Sequence, residues 1–448
     1  MDTLDWVAGA VGGTLHGPSV RFNGVTQDTR NLRPQDLYVA LKGERFDGHA
    51  FLRKAASLGA AGALVSELAD LELPQVLVDD SLLGLQALAR GWLDRFDTRV
   101  IGVTGSNGKT TVKQMLAAIL EPVGPTLATH GNLNNHIGLP LTLLRLREQH
   151  RYAVLEMGAS KPGDIAELVG IAAPHVAVIT HAAAAHLEGF GSLEGVARTK
   201  GEIYSGLRDD GVAVINVDDA HAGLWRELAG VHRCLSFGLD TPADVTATEI
   251  RMDGAQMSFT LRLPDDDTEV RLPVIGRHNV MNALAAAAVA QALGCTARQI
   301  ADGLARLEPA PGRMTPRIAS CGARLFDDSY NANPTSLAAA LSVLGQQDGH
   351  RWLALGNMNE LGSDAVAAHR KAGEQARAAG VERLFVVGDL AVHAAEGFGS
   401  GAVAADSMEQ MIEQVSESLD DTVCLLIKGS RGARMERLVQ ALGTVELH

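Results

Sequence analysis

Aromatic side chains are scarce in this chain, at 4% of 448 residues, so aliphatic packing must build its cores. Cysteine is scarcer still. The four (Cys234, Cys295, Cys321, Cys424) stand far apart. No pair has the spacing of a metal site or a redox motif, which predicts reduced thiols in a cytoplasmic protein. Positive charge is in deficit: 39 Lys and Arg against 53 Asp and Glu leave a net charge of -14. That excess disfavours binding to long nucleic acid, which needs a basic surface. It leaves room for anionic small molecules, because loops and helix ends can hold a phosphate within an acidic protein. No run reaches the roughly 18 uninterrupted apolar residues of a membrane span, and the opening MDTLDW lacks the basic segment of a signal peptide.

What is present is ordinary globular material, 46% apolar and 21% charged, enough for about three domains. The first segment, 1–98, carries short β-like runs at Asp36–Leu41, Gly62–Val65 and Gln75–Val78 around an alanine-rich helical stretch near Phe51–Leu58. The second, 99–311, opens on an apolar strand, Val100–Thr104, a glycine-rich turn and a helix from Thr110 to about Leu120. Further strands are predicted at Tyr152–Glu156, Val176–Thr180 and Val212–Asn216 with helices between them, the pattern of a parallel sheet. A polar, strand-rich stretch (Asp244–Leu272) and two helices (about Asn279–Leu293 and Ala297–Leu307) follow, and Pro309–Gly312 makes a hinge. The third segment, 312–448, alternates again, with strands at Arg324–Asp327, Trp352–Leu355, Arg383–Val387 and Val423–Ile427. The fold class predicted is α/β: a small N-terminal α/β domain, a central P-loop parallel-sheet domain and a C-terminal Rossmann-like α/β domain.

The strongest local signal is Gly105-Ser106-Asn107-Gly108-Lys109-Thr110-Thr111 between a strand and a helix, the context of a phosphate-binding loop. Glycines let backbone N–H groups approach phosphate oxygens, Lys109 can reach the outer phosphates, and Thr110 can offer its hydroxyl to Mg²⁺. The pattern departs from the strict spacing in that Val103 stands where the first glycine would be. A glycine turn that merely caps a helix explains it less well. Glu156 ends an apolar strand on the same sheet and could hold Mg²⁺, though a helix-capping acid reads almost equally well from that residue alone. His186 and Lys200, each taken singly, read as surface or solvated residues. Asp327-Asp328-Ser329-Tyr330-Asn331-Ala332-Asn333 is an unusual density of polar groups after an apolar strand and marks a site.

Together these strings resemble the Mur ligases, and within that family the branch that adds D-alanyl-D-alanine to UDP-N-acetylmuramoyl-tripeptide. The resemblance spans nearly the whole chain: Asp28-Thr29-Arg30, Val39–Gly43 and Phe46–His49; Thr104–Thr111; Thr129–Asn135; His186–Gly191; Lys200–Ile203; Gly276–Asn279 with Asn282; Pro311–Arg313; Asp327–Asn333; Gly356–Gly362; and Lys428–Arg431. It implies that Gly105, Ser106, Asn107, Gly108, Lys109, Thr110 and Thr111 hold ATP phosphates, with Asn282, Arg313 and Asp328 on the nucleotide. It implies one Mg²⁺ on Thr110 and Glu156 and a second on Glu156, His186 and a carbamylated Lys200. Lys109, Lys200, His186 and Glu156 are then the catalytic set. Asp28, Thr29, Arg30 and Lys42 are expected to bind the uridine nucleotide, Asn132, Asn134 and Asn135 the acceptor, and Asn331, Asn333 and Arg431 the incoming dipeptide. His181 stands where the family pattern has asparagine. A domain closure hinged near Ala310–Gly312 follows from substrates entering on different domains. The partners expected are these small molecules only, with no nucleic acid, no membrane insertion and a monomeric chain. Three other readings compete: a folate-type ligase of the same mechanism, which lacks such an N-terminal segment; a nucleotide-binding regulator, which needs no second metal site; and a P-loop motor ATPase, which leaves the substrate strings unexplained.

Overall fold

The computed structural model describes residues 1–43, 46–183, 187–254, 256–443 and 445–446. Near the N-terminus lies a five-stranded sheet in the order Thr14–His16, Gln75–Leu77, Gly62–Val65, Asp36–Val39, Gly24–Thr26. Only its first pairing is antiparallel. Its Asp36–Val39 and Gly62–Val65 strands are buried throughout, which explains the apolar runs Leu37–Val39 and Gly62–Val65. Helix Ser81–Leu93 begins where the Asp80 side chain accepts from the Leu82 and Leu83 amides, a conventional N-cap. It carries Leu85, Leu88, Ala89 and Trp92 into one core with Leu37, Leu64 and, on the next sheet, Val100, Leu155 and Ile179. The first two units therefore share a continuous apolar interior.

The central sheet has six parallel strands in the order Arg233–Phe237, Val212–Asn216, Val176–Ile179, Arg99–Thr104, Tyr152–Glu156, Thr126–Ala128. The chain leaves the middle strand, Arg99–Thr104, toward one edge and later returns to build the other. That reversal creates a crevice at the carboxyl ends of the strands, where α/β proteins bind ligands. Helices Lys109–Leu120, Arg277–Ala292 and Ala297–Ala305 cover one face together with the antiparallel sheet Thr246–Asp253, Gln256–Arg262, Asp267–Leu272. Helices Asp164–Ala172, Leu193–Ser205 and Ala222–Ala229 cover the other.

The last sheet has seven strands in the order Ala402–Ala405, Arg383–Val387, His350–Gly356, Val423–Lys428, Arg324–Asp328, Thr315–Ile318, Val445–Glu446. It is parallel except where Thr315–Ile318 pairs with its two neighbours. The fold is thus α/β with a parallel central sheet, as the sequence predicts, and the C-terminal sheet is mixed. Short edge strands at Thr126–Ala128, Arg233–Phe237 and Ala402–Ala405, and the short inner strand Thr315–Ile318, escape the sequence reading, since three to five residues carry little pattern.

Candidate active site

Strand Arg99–Thr104 delivers the chain to Gly105, where φ is +147° and an added Cβ would lie 1.8 Å from Thr180 Oγ1. At Gly108, φ is +82° and a Cβ would lie 2.3 Å from Asn282 Oδ1. Neither position admits a side chain, so the loop threads a slot between the end of a neighbouring strand and helix Arg277–Ala292. Thr180 Oγ1 donates to the Asn107 carbonyl at 2.5 Å. The Ser106 amide donates to the His181 carbonyl at 2.9 Å, and Ser106 Oγ bonds both the carbonyl (3.1 Å) and the amide (2.9 Å) of Ala183. Gly105→Ala is expected to displace the loop by more than an ångström and to lower kcat about 10²-fold. Initial rates at saturating nucleotide check this, and a rate near the parent's would show that the slot yields.

Two cavities meet at this loop. One, of about 500 Å³, is lined by Gly108, Thr111, Asn282, Arg313, Asp328 and His181 among others. The other, of about 720 Å³, is lined by Ser106–Thr110, Asn132, Asn134, Asn135, Glu156, Asn331 and Arg431 among others. Arg313 and Asn331 line both. Lys109 Nζ donates back to the Gly105 carbonyl at 2.8 Å, poised over the loop. Burial pushes its pKa below the usual lysine value, opposed by the Glu156 carboxylate.

Glu156, only 3% exposed, ends its strand beside the loop. Its Oε2 accepts from Thr110 Oγ1 at 3.0 Å and lies 3.4 Å from Lys113 Nζ. Its Oε1 accepts from Asn134 Nδ2 at 2.8 Å. Among the described residues no three of His, Cys, Asp and Glu gather to hold a metal ion. The oxygen donors present, a hydroxyl and a buried carboxylate beside a phosphate loop, suit Mg²⁺, which keeps phosphate oxygens and water as its other ligands. Lys200 is buried on helix Leu193–Ser205. Burial first, and the Lys109 ammonium second, pull its pKa down to about 7. His186 lies outside the described residues.

In the C-terminal unit, Asp328 and Lys428 end adjacent parallel strands as register partners. Lys428 Nζ donates to Asp328 Oδ2 and, at 3.0 Å, to the Asn331 carbonyl; Asp328 Oδ1 accepts from the Met314 amide at 3.2 Å. Arg313 lies 4.2 Å over the Tyr330 ring and reaches Thr110 Oγ1 at 3.4 Å, while Arg431 lies 5.6 Å from the same ring.

Five of the expected substrate-binding residues line neither cavity. Asn333 lines neither cavity: it caps helix Pro334–Leu344 and pairs with Asn107. Its side-chain groups are engaged there. Asp28, Thr29, Arg30 and Lys42 line neither cavity. Asp28 pairs with Arg30 at 2.7 Å and Lys42 with Glu67 at 3.0 Å, on the N-terminal unit. Three residues close to the chemistry were given no role of their own from sequence. Lys113 sits one helical turn beyond Lys109, a spacing that puts both on one face. Lys428 ends an apolar strand as Glu156 does. Tyr330 lies inside the polar string that drew notice.

A phosphate loop at the switch point of a parallel sheet, a carboxylate tied to its threonine and a second α/β unit reaching over it define a nucleotide-dependent P-loop enzyme. The sequence matches the Mur ligase middle domain over residues 103–290 and the Mur ligase glutamate ligase domain over residues 312–431. The chain belongs to the Mur ligase family. It is 43% identical over 442 residues, 98% of each chain, to a protein of Escherichia coli K12 named UDP-N-acetylmuramoyl-tripeptide--D-alanyl-D-alanine ligase. The crystal structure of MurF from Acinetobacter baumannii superposes with a TM-score of 0.94 at 37% identity, covering 98% of both chains. MurF from Thermotoga maritima in complex with ADP does so at 0.83 and 29%, covering 94% of this chain and 97% of that one.

Proposed function

We propose that this protein is an ATP-dependent ligase that adds D-alanyl-D-alanine to UDP-N-acetylmuramoyl-tripeptide through an acyl phosphate, in peptidoglycan precursor synthesis. The observation that carries the reading is the meeting of two cavities at one phosphate loop in a chain similar along its whole length to ligases of that name. ATP lies in the cavity of Asn282 and Asp328 with its phosphates on Gly105–Thr111. The peptide substrates lie in the cavity of Asn132, Asn134, Asn135, Asn331 and Arg431.

The tripeptide carboxylate attacks the γ-phosphorus, ADP leaves, and the dipeptide amine then displaces phosphate from the acyl carbon. This chain contributes mainly position and positive charge, the chief needs of phosphoryl transfer. Lys109 and the loop amides bind the phosphates. Arg313, held over Tyr330, spans both cavities and faces the transferring group. Thr110 and Glu156 would hold one Mg²⁺, and Glu156, His186 and a carbamylated Lys200 a second; bound there, the ions would neutralise charge on the phosphate oxygens. Lys113 and Asn134 keep the Glu156 carboxylate in place. Asp28, Thr29, Arg30 and Lys42 bind the uridine nucleotide, which enters on the N-terminal unit 1–98. The C-terminal unit, 312–448, swings on Ala310–Gly312, where φ of Gly312 is +72°. The chain works as a monomer in the cytoplasm.

An amine with a pKa of about 7 is half neutral near neutrality, and only the neutral form adds carbon dioxide. Lys200 is therefore expected to carry a carbamate a unit above pH 7 and to lose it a unit below. ¹³C NMR with labelled bicarbonate reads this directly, and Lys200→Ala should lack the resonance. A signal unchanged by that substitution would remove the carbamate from Lys200.

The function is tested by phosphate release from Mg²⁺-ATP with UDP-N-acetylmuramoyl-tripeptide, with and without D-alanyl-D-alanine. Release that needs both, with a UDP-linked pentapeptide in the mass spectrum, supports the reading. Release indifferent to the dipeptide overturns it.

A further inference from the structure

The Asn107 side chain, like that of Thr110, bonds the phosphate loop to both α/β units. Its Oδ1 accepts from Asn333 Nδ2 at 2.7 Å, and its Nδ2 faces Asn333 Oδ1 at 3.4 Å and His181 Nε2 at 3.3 Å. Two primary amides thus face each other reciprocally, and a ring nitrogen takes the remaining N–H. Every polar atom of the Asn107 side chain is used. The Asn107 amide orientation follows from the short bond its oxygen receives. Its nitrogen can only donate, so His181 Nε2 must be the unprotonated nitrogen. Burial holds the His181 pKa at about 4, which keeps that lone pair available at neutral pH.

Both anchors are fixed from behind. His181 follows Thr180, whose hydroxyl holds the Asn107 carbonyl, and its own carbonyl holds the Ser106 amide. Asn333 is the N-cap of helix Pro334–Leu344: its Oδ1 accepts from the Ser336 amide at 2.9 Å, and Ser336 Oγ accepts from its own amide at 3.0 Å. The cap orients the Asn333 amide before the loop meets it.

We propose that His181 and Asn333 are positioning residues that act through Asn107, clamping the phosphate loop in its working shape only when the C-terminal unit is seated. Neither lies in the peptide-side cavity, and Asn333 lines neither. The latch rests on the ligase reading only for its consequence in turnover; its effect on nucleotide affinity does not.

Binding of a non-hydrolysable ATP analogue with Mg²⁺ is measured by calorimetry beside kcat and KM of the full chain. Asn333→Ser keeps a good N-cap and removes the reciprocal amide. Asn333→Asp keeps the cap oxygen, loses the donor to Asn107 and adds a negative charge beside the phosphate loop. Each is expected to weaken analogue binding about tenfold, the worth of one net hydrogen bond. The melting temperature should hold, and kcat should fall while KM for the UDP-linked substrate stays. His181→Ala is expected to lose a similar factor and His181→Gln, whose carbonyl can accept in place of Nε2, to recover most of it. Because the three side chains act as one unit, His181→Ala with Asn333→Ser should be no worse than the weaker single variant. Affinity within about twofold of the parent in a stably folded Asn333→Asp protein, or losses that simply add, would overturn the latch. A parent protein that makes no pentapeptide yet shows these affinity changes would refute the ligase reading and leave the latch standing.

Discussion

Lys109→Ala is expected to abolish most turnover, lowering kcat about 10²–10³-fold, the usual cost of removing one preorganised charge from a transferring group. The side chain is buried against its own loop, donating to the Gly105 and Ser106 carbonyls. It therefore pays little rearrangement when phosphate arrives. Burial lowers its pKa and the Glu156 carboxylate opposes that fall; a bound phosphate would oppose it further and keep the ammonium charged. Lys109→Arg should not rescue, because the planar guanidinium is larger and the slot between Thr180 and Asn282 is closed to bulk at both flanking glycines. Steady-state kinetics with saturating acceptor and dipeptide decide the matter. A fall of less than about tenfold would mean that Arg313 or the loop amides carry the charge stabilisation instead.

Asp328→Asn is expected to destabilise the C-terminal unit by about 3–5 kcal/mol, because it leaves the Lys428 ammonium buried without its counter-charge. The side chains of Lys428 and Asp328 are 2% and 12% exposed, so water can do little to compensate. The amide keeps the shape and can still accept from Met314, so the loss reports charge rather than packing. Denaturant unfolding followed by far-ultraviolet circular dichroism would show a lower midpoint. Adding Lys428→Met to Asp328→Asn should recover much of the loss, since removing both members of a buried pair often costs little. Nucleotide affinity should remain low in both variants, because Asp328 lines the nucleotide cavity. Stability unchanged in Asp328→Asn would mean that the Asn331 carbonyl and solvent satisfy Lys428 without the carboxylate.

Much of this molecule could be read from local pattern. Unbroken apolar runs such as Tyr152–Glu156 and Val212–Asn216 became strands with those bounds, because a strand covered on both faces has no polar side to interrupt it. The string Gly105–Thr111 declared a phosphate loop because its glycines are demanded by backbone geometry, which is a property of the residue and not of its neighbours. Glu156 stood out only as the polar end of an apolar strand, where a helix-capping acid read almost equally well. Pairing across the chain was not legible. That Asp328 meets Lys428 depends on the register of strands a hundred residues apart. That Asn333 turns to Asn107 instead of the peptide cavity depends on the helix it caps, and that Lys200 loses its proton near neutrality depends on burial beside Lys109. Local sequence determined which segments become strands, turns and helices; only tertiary packing decided which polar groups share a low-dielectric space, because that follows from contacts between residues distant in the chain.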